Sequence, residues 1–406
     1  MSASSMSRIT VVGGAGAMGR ISVRDLVETA PDDVEIVLAD FNEAAARTVA
    51  RSIGAGAGGK RGRVRVQVVD VTKRAEAIRA LAGTTVLINA CHHAFNLRLM
   101  DIALKIGAHY CDLGGLFHVT REQLKRHQAF ARAGLLAICG MGSAPGIVNV
   151  MARAAADRFD TVSDIHIAVG TVDRTPRKRA GLLSTSYTIH TVLDEASQPA
   201  ALFTNGKLRF VEPLSGADAV DFPEPVGRQY PARTIHSELA TLPASFKKKG
   251  VREVSFRIAF PGDLTDRLRF LHQLGMISAA PFAVNGKKIA PRELLLKLLD
   301  AQPAPIATGP VDEYEVLRVT VRGRRDGQVI EEINNCHVPG IPAWRMGVDV
   351  DTGCPPSIVA QMLIRGAIDA RGVLPPEAAV PPAPFFAALA GRGMCITTTS
   401  HALSNS

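Results

Sequence analysis

The stretch 9–20, ITVVGGAGAMGR, sets a β-branched run directly before Gly14, Gly16 and Gly19, and those glycines open an amphipathic segment near 17–29. A strand, a glycine turn and a helix must therefore follow one another without spacer, which commits the start of the chain to strand–helix alternation. The alternation continues. Apolar runs recur at 9–12, 35–39, 64–69, 85–89, 109–113 and 135–139, with helix-length amphipathic segments near 17–29, 43–53, 73–82, 96–107 and 121–133 between them. Asn42 is placed to cap the second helix and Gly54 to end it. Thr120 with Gln123 spells a capping box, and Gly134 closes that helix. Short buried strands joined by such helices predict a parallel, doubly wound α/β sheet with right-handed crossovers.

From about residue 160 the rhythm changes. Alternating strands at 163–169, 251–260 and 314–322 are broken by helices at 264–274 and 291–299, the second opening on Pro291. This predicts an α+β domain with a mixed or antiparallel sheet. A last apolar helix over 357–371 stops at Gly372, and VLPPEAAVPPAP after it reads as an extended surface segment. IGAGAGGKRGR (53–63) reads as a flexible connection into the third strand.

At 406 residues the chain exceeds one ordinary core. No apolar run reaches the roughly 18 residues of a membrane helix. The N-terminal segment has no signal-peptide pattern, and the six cysteines are scattered without C-x-x-C. A cytoplasmic protein with reduced thiols is expected, without disulfide framework, structural zinc or membrane association. The net charge of +9 comes from short, dispersed clusters, and aromatics are only 5%. That pattern argues for solvated loops rather than a nucleic-acid surface, and it suits an anionic cofactor and a carboxylate-bearing substrate.

The opening motif reads as a dinucleotide site. Gly14 would make the tight turn, Gly16 would admit a pyrophosphate, and Gly19 would allow close helix–sheet contact, with Ala17 and Met18 in the same loop. The second strand ends in Asp40, where a carboxylate can accept both ribose hydroxyls and repel a 2′-phosphate; Phe41 follows it. NAD is therefore expected in preference to NADP. Asp70 and Val71, ending the third strand, would border the adenine, although Asp70 serves equally as a helix cap.

Ligands of an open α/β sheet bind outside the carboxyl ends of its strands. The fourth strand delivers INACHHAFN (88–96): Asn89 and Ala90 would pass beneath the nicotinamide ribose, and His92 and His93 would leave towards the substrate. The histidines do not suggest a metal pair, since consecutive residues point apart and no third ligand is evident. The fifth delivers HYCDLGG (109–115). Asp112, in an apolar run, must be paired or functional, either capping the next turn or serving a substrate ammonium and its proton. Gly115 would let chain and ligand approach. The sixth delivers AICGMGSAPGIVNVMA (137–152), which lacks the lysine of a phosphate loop. It reads as a hinge, with Pro145 in a first helical turn, free N–H donors from Gly146 and Asn149 one turn in.

The motifs GGAGAMG, CDLGG and APGIVNVMA, in this order, with HSELATLPASF (236–246) and RGVLPPE (371–377) downstream, resemble the saccharopine dehydrogenase family, nearest its bacterial lysine 6-dehydrogenase branch. The resemblance implies a Rossmann domain over 1–148, an inserted α+β substrate and dimerisation domain over 149–350, and a C-terminal helix and tail over 351–406 returning to the first domain. It also implies NAD(P)-dependent chemistry at a C–N bond and a homodimer or dimer of dimers. Carried onto this chain, it maps Asp40 to ribose, Asp112–Gly115 and Pro145–Asn149 to the cleft, and the segment 234–241, with Thr234 and Ser237, to the substrate. Oxidation of a lysine-type amine is the expected reaction. Asp112 would hold the ammonium, His93 would relay its proton, and Arg233 or the helix start at Gly146 would receive the carboxylate. A saccharopine- or carboxyspermidine-type reductase joining amine to carbonyl, and a non-catalytic NAD(H) sensor, are the competing readings.

Overall fold

Near-continuous apolar runs bury their strands on both faces, and a strand buried on both faces needs helices on each side. The computed structural model, which describes residues 6–56, 63–179, 181–183 and 188–403, shows this arrangement at the start of the chain. Strands β1 (Arg8–Val12), β2 (Glu35–Asp40), β3 (Val64–Val68), β4 (Val86–Asn89), β5 (His109–Asp112) and β6 (Leu136–Ile138) alternate with α1 (Ala17–Thr29), α2 (Glu43–Gly56), α3 (Arg74–Ala80), α4 (Asn96–Ile106), α5 (Leu116–Leu124), α6 (His127–Arg132) and α7 (Ile147–Ala156). With a late strand, Gly372–Leu374, they form a sheet in the order 372–374, β6, β5, β4, β1, β2, β3. Every pairing in it is parallel. The order reverses between β1 and β4, so the glycine turn after β1 lies at the topological switch point. Val12, Leu87, Leu99, Tyr110, Phe130 and Val373 share the core on one side.

The chain divides into two compact units: Met1–Phe159 with Ala240–Lys248 and Val350–Arg392, and Asp160–Leu239 with Lys249–Asp349 and Gly393–Ser406. The first boundary falls after Phe159 rather than at 148. Helix α7 stays with the first unit because Arg153 and Asn149 on it bond Glu377 of that unit. The final strand, Cys395–Ala402, joins the second unit instead of the first, since it pairs with Gln328–Val338.

Several local expectations change. The helix expected over 121–133 is two helices, α5 and α6, and the first begins at Leu116. Thr120 and Gln123 make no capping box, because both are buried inside α5. Helix α2 runs through Gly56 rather than ending at Gly54, and residues 57–62 of the expected connection lie outside the described residues. The proline-rich stretch after Gly372 is not an extended surface segment: Gly372–Leu374 pairs with β6, and helices Pro376–Ala379 and Pro382–Ala390 each open on a proline. A proline at the first helical position forfeits no hydrogen bond, so these prolines start helices. Among the described residues no helix is long and apolar enough to cross a membrane.

The second unit is built on a mixed sheet in the order 207–211, 200–204, 253–259, 161–173, 313–325, 328–338, 395–402. Only Glu253–Ala259 and Thr161–Asp173 run parallel; their neighbours pair antiparallel. Helices Ile189–Ser197, Leu264–Gln273 and Pro291–Asp300 share a core of Val192, Leu193, Phe260, Leu264, Leu268 and Leu295.

Within the first unit the helix Val350–Ile364 packs on α1 so closely that a Cβ on Gly353 would lie 2.4 Å from Ile21. Asp25 of α1 is wholly buried and takes both arms of Arg392, at 2.6 and 2.7 Å, and the Ser357 hydroxyl at 2.6 Å. Removing one partner of a buried ion pair strands the other charge. Arg392→Ala is expected to cost about 3–5 kcal/mol in urea unfolding; a loss below ~1 kcal/mol would show Asp25 to be solvated or otherwise compensated.

Candidate functional site

Local glycine chemistry shapes the first part of the site. Gly13, not Gly14, makes the left-handed turn after β1, with φ +75°. Gly14 is required for another reason: a Cβ there would lie 2.8 Å from Leu38. At Gly19 a Cβ would lie 2.2 Å from the Gly13 carbonyl oxygen, so any side chain would push α1 off the turn. Gly16 caps α1 in extended conformation, and a Cβ there would lie 3.2 Å from the Gly13 carbonyl oxygen. The N–H groups of Ala17, Met18 and Gly19 open the helix without intrahelical acceptors, which makes a cradle for a pyrophosphate.

Asp40 closes this cradle from β2. Its Oδ2 accepts from the Ala15 N–H at 3.1 Å and its Oδ1 from the Asn42 N–H at 3.0 Å, fixing the carboxylate beside the glycine turn with lone pairs to spare. Phe41 beside it is exposed. Asp70 does not cap the third helix, whose N-cap is Lys73: its Oδ1 takes the Thr72 N–H and hydroxyl in the turn before it, and these bonds hold its carboxyl below the usual range. Val71 belongs to the core. The glycine contacts and the anchored carboxylate fit a bound dinucleotide.

The strand ends after β4 and β5 are organised differently from expectation. Asn89 is fully buried; its Nδ2 donates to Asn96 and to the Tyr110 hydroxyl, each at 2.9 Å, and its Oδ1 accepts from the Cys91 N–H. Its side chain is thus turned away from a nicotinamide ribose, and only the backbone of Asn89 and Ala90 remains for that contact. Asp112, 1% exposed, accepts from the Tyr110 hydroxyl at 2.9 Å, the Gly114 N–H at 2.9 Å, the Gly140 N–H at 2.8 Å and the Gln123 amide. Burial raises its pKa, and the four donors oppose that rise. The expected ammonium-holding role does not fit, because four interior donors occupy this carboxylate. Asp112 is a positioning residue that ties β5, α5 and the exit of β6 together. Gly115 caps α5 and sits where a Cβ would meet the Gln123 amide oxygen at 2.6 Å, so its smallness serves this network.

The helix start at 145–149 also changes role. The Gly146 N–H donates to Asn149 Oδ1 at 3.0 Å, the Ile147 N–H to Gly142 O at 2.9 Å and the Val148 N–H to Ser143 O at 3.1 Å. The donors expected to be free are taken. Asn149, 1% exposed, spends its amide on Glu377 at 2.8 Å, so it does not reach a ligand. Pro145 follows a cis peptide bond and precedes the helix rather than occupying its first turn.

His92 and His93 leave β4 as expected, but they do not point apart. The chain enters a 3₁₀ turn, His93–Phe95, and the two rings lie with centroids 4.0 Å apart. Both are partly exposed, and the His92 Nδ1 accepts from the Ala94 N–H at 3.3 Å. Both histidines are less buried than Asp112.

In the second unit the segment 233–238 gathers charge of both signs. His236 is buried, stacks on Phe256 at 3.7 Å, and meets Glu238 through Nδ1 at 2.7 Å and Glu195 through Nε2 at 3.6 Å. Burial alone would lower its pKa; the two carboxylates override burial and bring it to about 10. This cluster is absent from the sequence reading, because Glu195 lies far from 236–238 in sequence and only the fold joins them. Thr234, 1% exposed, and Ser237, 2% exposed, flank it. The Thr234 hydroxyl and the Arg233 Nε have no hydrogen-bond partner among the described residues.

Two consequences are measurable. Asp112→Asn would turn an N–H group towards two of the four donors, which are split two to each oxygen, and is expected to cost roughly 1–3 kcal/mol in urea unfolding while sparing dinucleotide binding; an unchanged midpoint with lost turnover would restore a chemical role. For His236 the folded pKa of about 10 exceeds the unfolded value near 6.5. The folded state then binds the extra proton, so this contribution is full below pH ~6.5 and is lost as pH rises towards about 10. Unfolding free energy measured across that window should fall in the wild type, and His236→Gln should flatten the fall; an equal slope in both proteins would refute the charge assignment.

Comparison with known proteins agrees with this geometry. The saccharopine dehydrogenase NADP binding domain matches residues 9–138 and the saccharopine dehydrogenase C-terminal domain matches residues 142–394. A carboxyaminopropylagmatine dehydrogenase of Synechocystis sp. is 25% identical over 403 residues, covering 96% of each chain. A carboxynorspermidine synthase of Vibrio alginolyticus is 22% identical over 326 residues, covering 76% of each. The apo saccharopine dehydrogenase (L-Glu forming) of Saccharomyces cerevisiae superposes with a TM-score of 0.72 at 16% identity, covering 97% of this chain and all of that one, which shows a shared fold. With a glycine cradle, an anchored carboxylate and both domain types in place, the chain belongs to the saccharopine dehydrogenase family as an NAD(P)-dependent oxidoreductase.

Proposed function

We propose that this protein reductively joins a primary amine to an amino-acid aldehyde, giving a secondary amine that carries a carboxylate, with NADH preferred over NADPH. The observation that carries this reading is the end-to-end similarity to a carboxyaminopropylagmatine dehydrogenase, whose name describes an amine bearing a carboxyl-carrying arm. The carboxynorspermidine synthase similarity points the same way. Oxidative deamination of free lysine, the expectation from sequence, is the second reading.

In the reaction the amine nitrogen adds to the carbonyl carbon, water leaves, and the imine carbon accepts a hydride while its nitrogen accepts a proton. The nicotinamide supplies the hydride. The α1 amides would hold the pyrophosphate and Asp40 would accept from the ribose hydroxyls; its charge would repel a 2′-phosphate, which supports NADH. His93 is assigned the proton for departing water and for the imine nitrogen, because Asp112 is occupied and His93 is a half-buried imidazole just past the end of β4. Arg233 is assigned the substrate carboxylate, since the α7 amides are already bonded.

Absorbance at 340 nm tests the proposal. NADH should be consumed only when an amine such as agmatine or a diamine and an amino-acid aldehyde are both present, with a lower KM for NADH than for NADPH. Reduction of NAD⁺ by lysine alone would favour the second reading, and tight NADH binding without turnover on any pair would favour a sensor.

A further inference from the structure

The second unit holds an arrangement of like charges that its fold does not need. Ala232 and Ile258 form an antiparallel bridge, each N–H donating to the other's carbonyl at 2.9 Å. One step along each strand sets Arg233 opposite Arg257, and like charges facing each other across an antiparallel pair are destabilising. On its other side Arg233 pairs with the loop 214–216: its N–H donates to Ser215 O at 2.9 Å, and its carbonyl accepts from the Leu214 N–H at 2.7 Å. That loop turns at Gly216 with φ +64°, and a Cβ there would lie 1.5 Å from Arg233 Nη1. The guanidinium therefore lies against the bare backbone of Gly216.

Compensation for this charge is thin. The Arg233 Nε is buried without an acceptor among the described residues. Arg257, its side chain 18% exposed, has Asp218 at 3.3 Å, but that carboxylate is 78% exposed and weakly held. Burial, with Arg233 adding to it, makes the Arg257 proton easier to lose, and Asp218 opposes that. The one carboxylate near the pair meets Arg257 and is solvated, and a buried guanidinium N–H left without an acceptor is costly. A planar anion placed between the two forks would relieve both the repulsion and the orphaned donor.

We propose that Arg233 and Arg257 together form a receptor for the substrate carboxylate, walled by Gly216, and that Arg257 selects an amino-acid aldehyde over the same aldehyde without its carboxylate. Only the identity of the molecule bearing the carboxylate rests on the reading above. Arg257 is the added element, and it carries a signature that a structural arginine would not show. Its loss should relieve repulsion in the free protein and weaken carboxylate binding.

The test uses the full chain with L-2-aminobutyrate as carboxylate probe and n-propylamine as its carboxylate-free counterpart, read by calorimetric titration and thermal unfolding. The wild type is expected to bind aminobutyrate and not propylamine. Arg257→Gln should weaken aminobutyrate roughly 10- to 100-fold while unliganded Tm holds or rises, and Arg257→Lys should recover part of the affinity. With an active amine–aldehyde pair, Arg257→Gln should raise KM for the aldehyde and leave NADH binding unchanged. Equal affinity in wild type and Arg257→Gln, no binding of aminobutyrate over propylamine, or a lowered Tm in Arg257→Gln would each overturn the receptor. Arginine-dependent aminobutyrate binding without NAD(P)H turnover on any pair would instead overturn the joining reaction and leave the receptor standing.

Discussion

The nucleotide-binding unit depends on one buried carboxylate. Asp112 is surrounded by the Tyr110 hydroxyl, the Gln123 amide and the N–H groups of Gly114 and Gly140, and through Tyr110 it is linked to Asn89 and Asn96. The ends of β4, β5 and β6, the start of α4 and the end of α5 are thereby held by one hydrogen-bonded network. A buried carboxylate is tolerable only when its lone pairs are met. Once they are met, the network is stiff, and the loops that carry His92, His93 and the sixth-strand turn leave from a fixed base.

Two other buried carboxylates repeat the device at the edges of the same unit. Asp25 ties α1 to Ser357 and Arg392, more than three hundred residues away. Glu377 accepts from Asn149, Ser245 and Thr241, joining three stretches that meet only in the fold. The polar residues that looked chemical in sequence, Asp112 and Asn149, serve in these networks. The amides opening α1 and the half-buried Arg233 lie outside these networks.

The second unit distributes charge in a contrasting way. His236 is locked between Glu195 and Glu238, a fully compensated interior site. Arg233, three residues earlier, is set opposite another arginine and has no acceptor for Nε among the described residues. The first arrangement stabilises the segment at neutral pH. The second sets like charges face to face, which costs stability.

Features governed by local geometry were legible in the amino-acid order. Periodicity marked the strands and helices of the first unit, Asn42 and Gly134 bounded helices, and Gly16, Gly19 and Asp40 outlined a dinucleotide cradle. Their physics acts over a few residues, through steric room, capping and side-chain period. The turn residue was misplaced by one, because adjacent Gly13 and Gly14 are equivalent until Leu38 packs against one of them. Tertiary structure alone decided which polar groups were spent. Asp112 and Asn149 lost their expected roles, Glu195 met His236, and Arg233 met Arg257, because a buried donor or acceptor takes its partner from whatever segment the fold brings within hydrogen-bond reach, however distant in the chain.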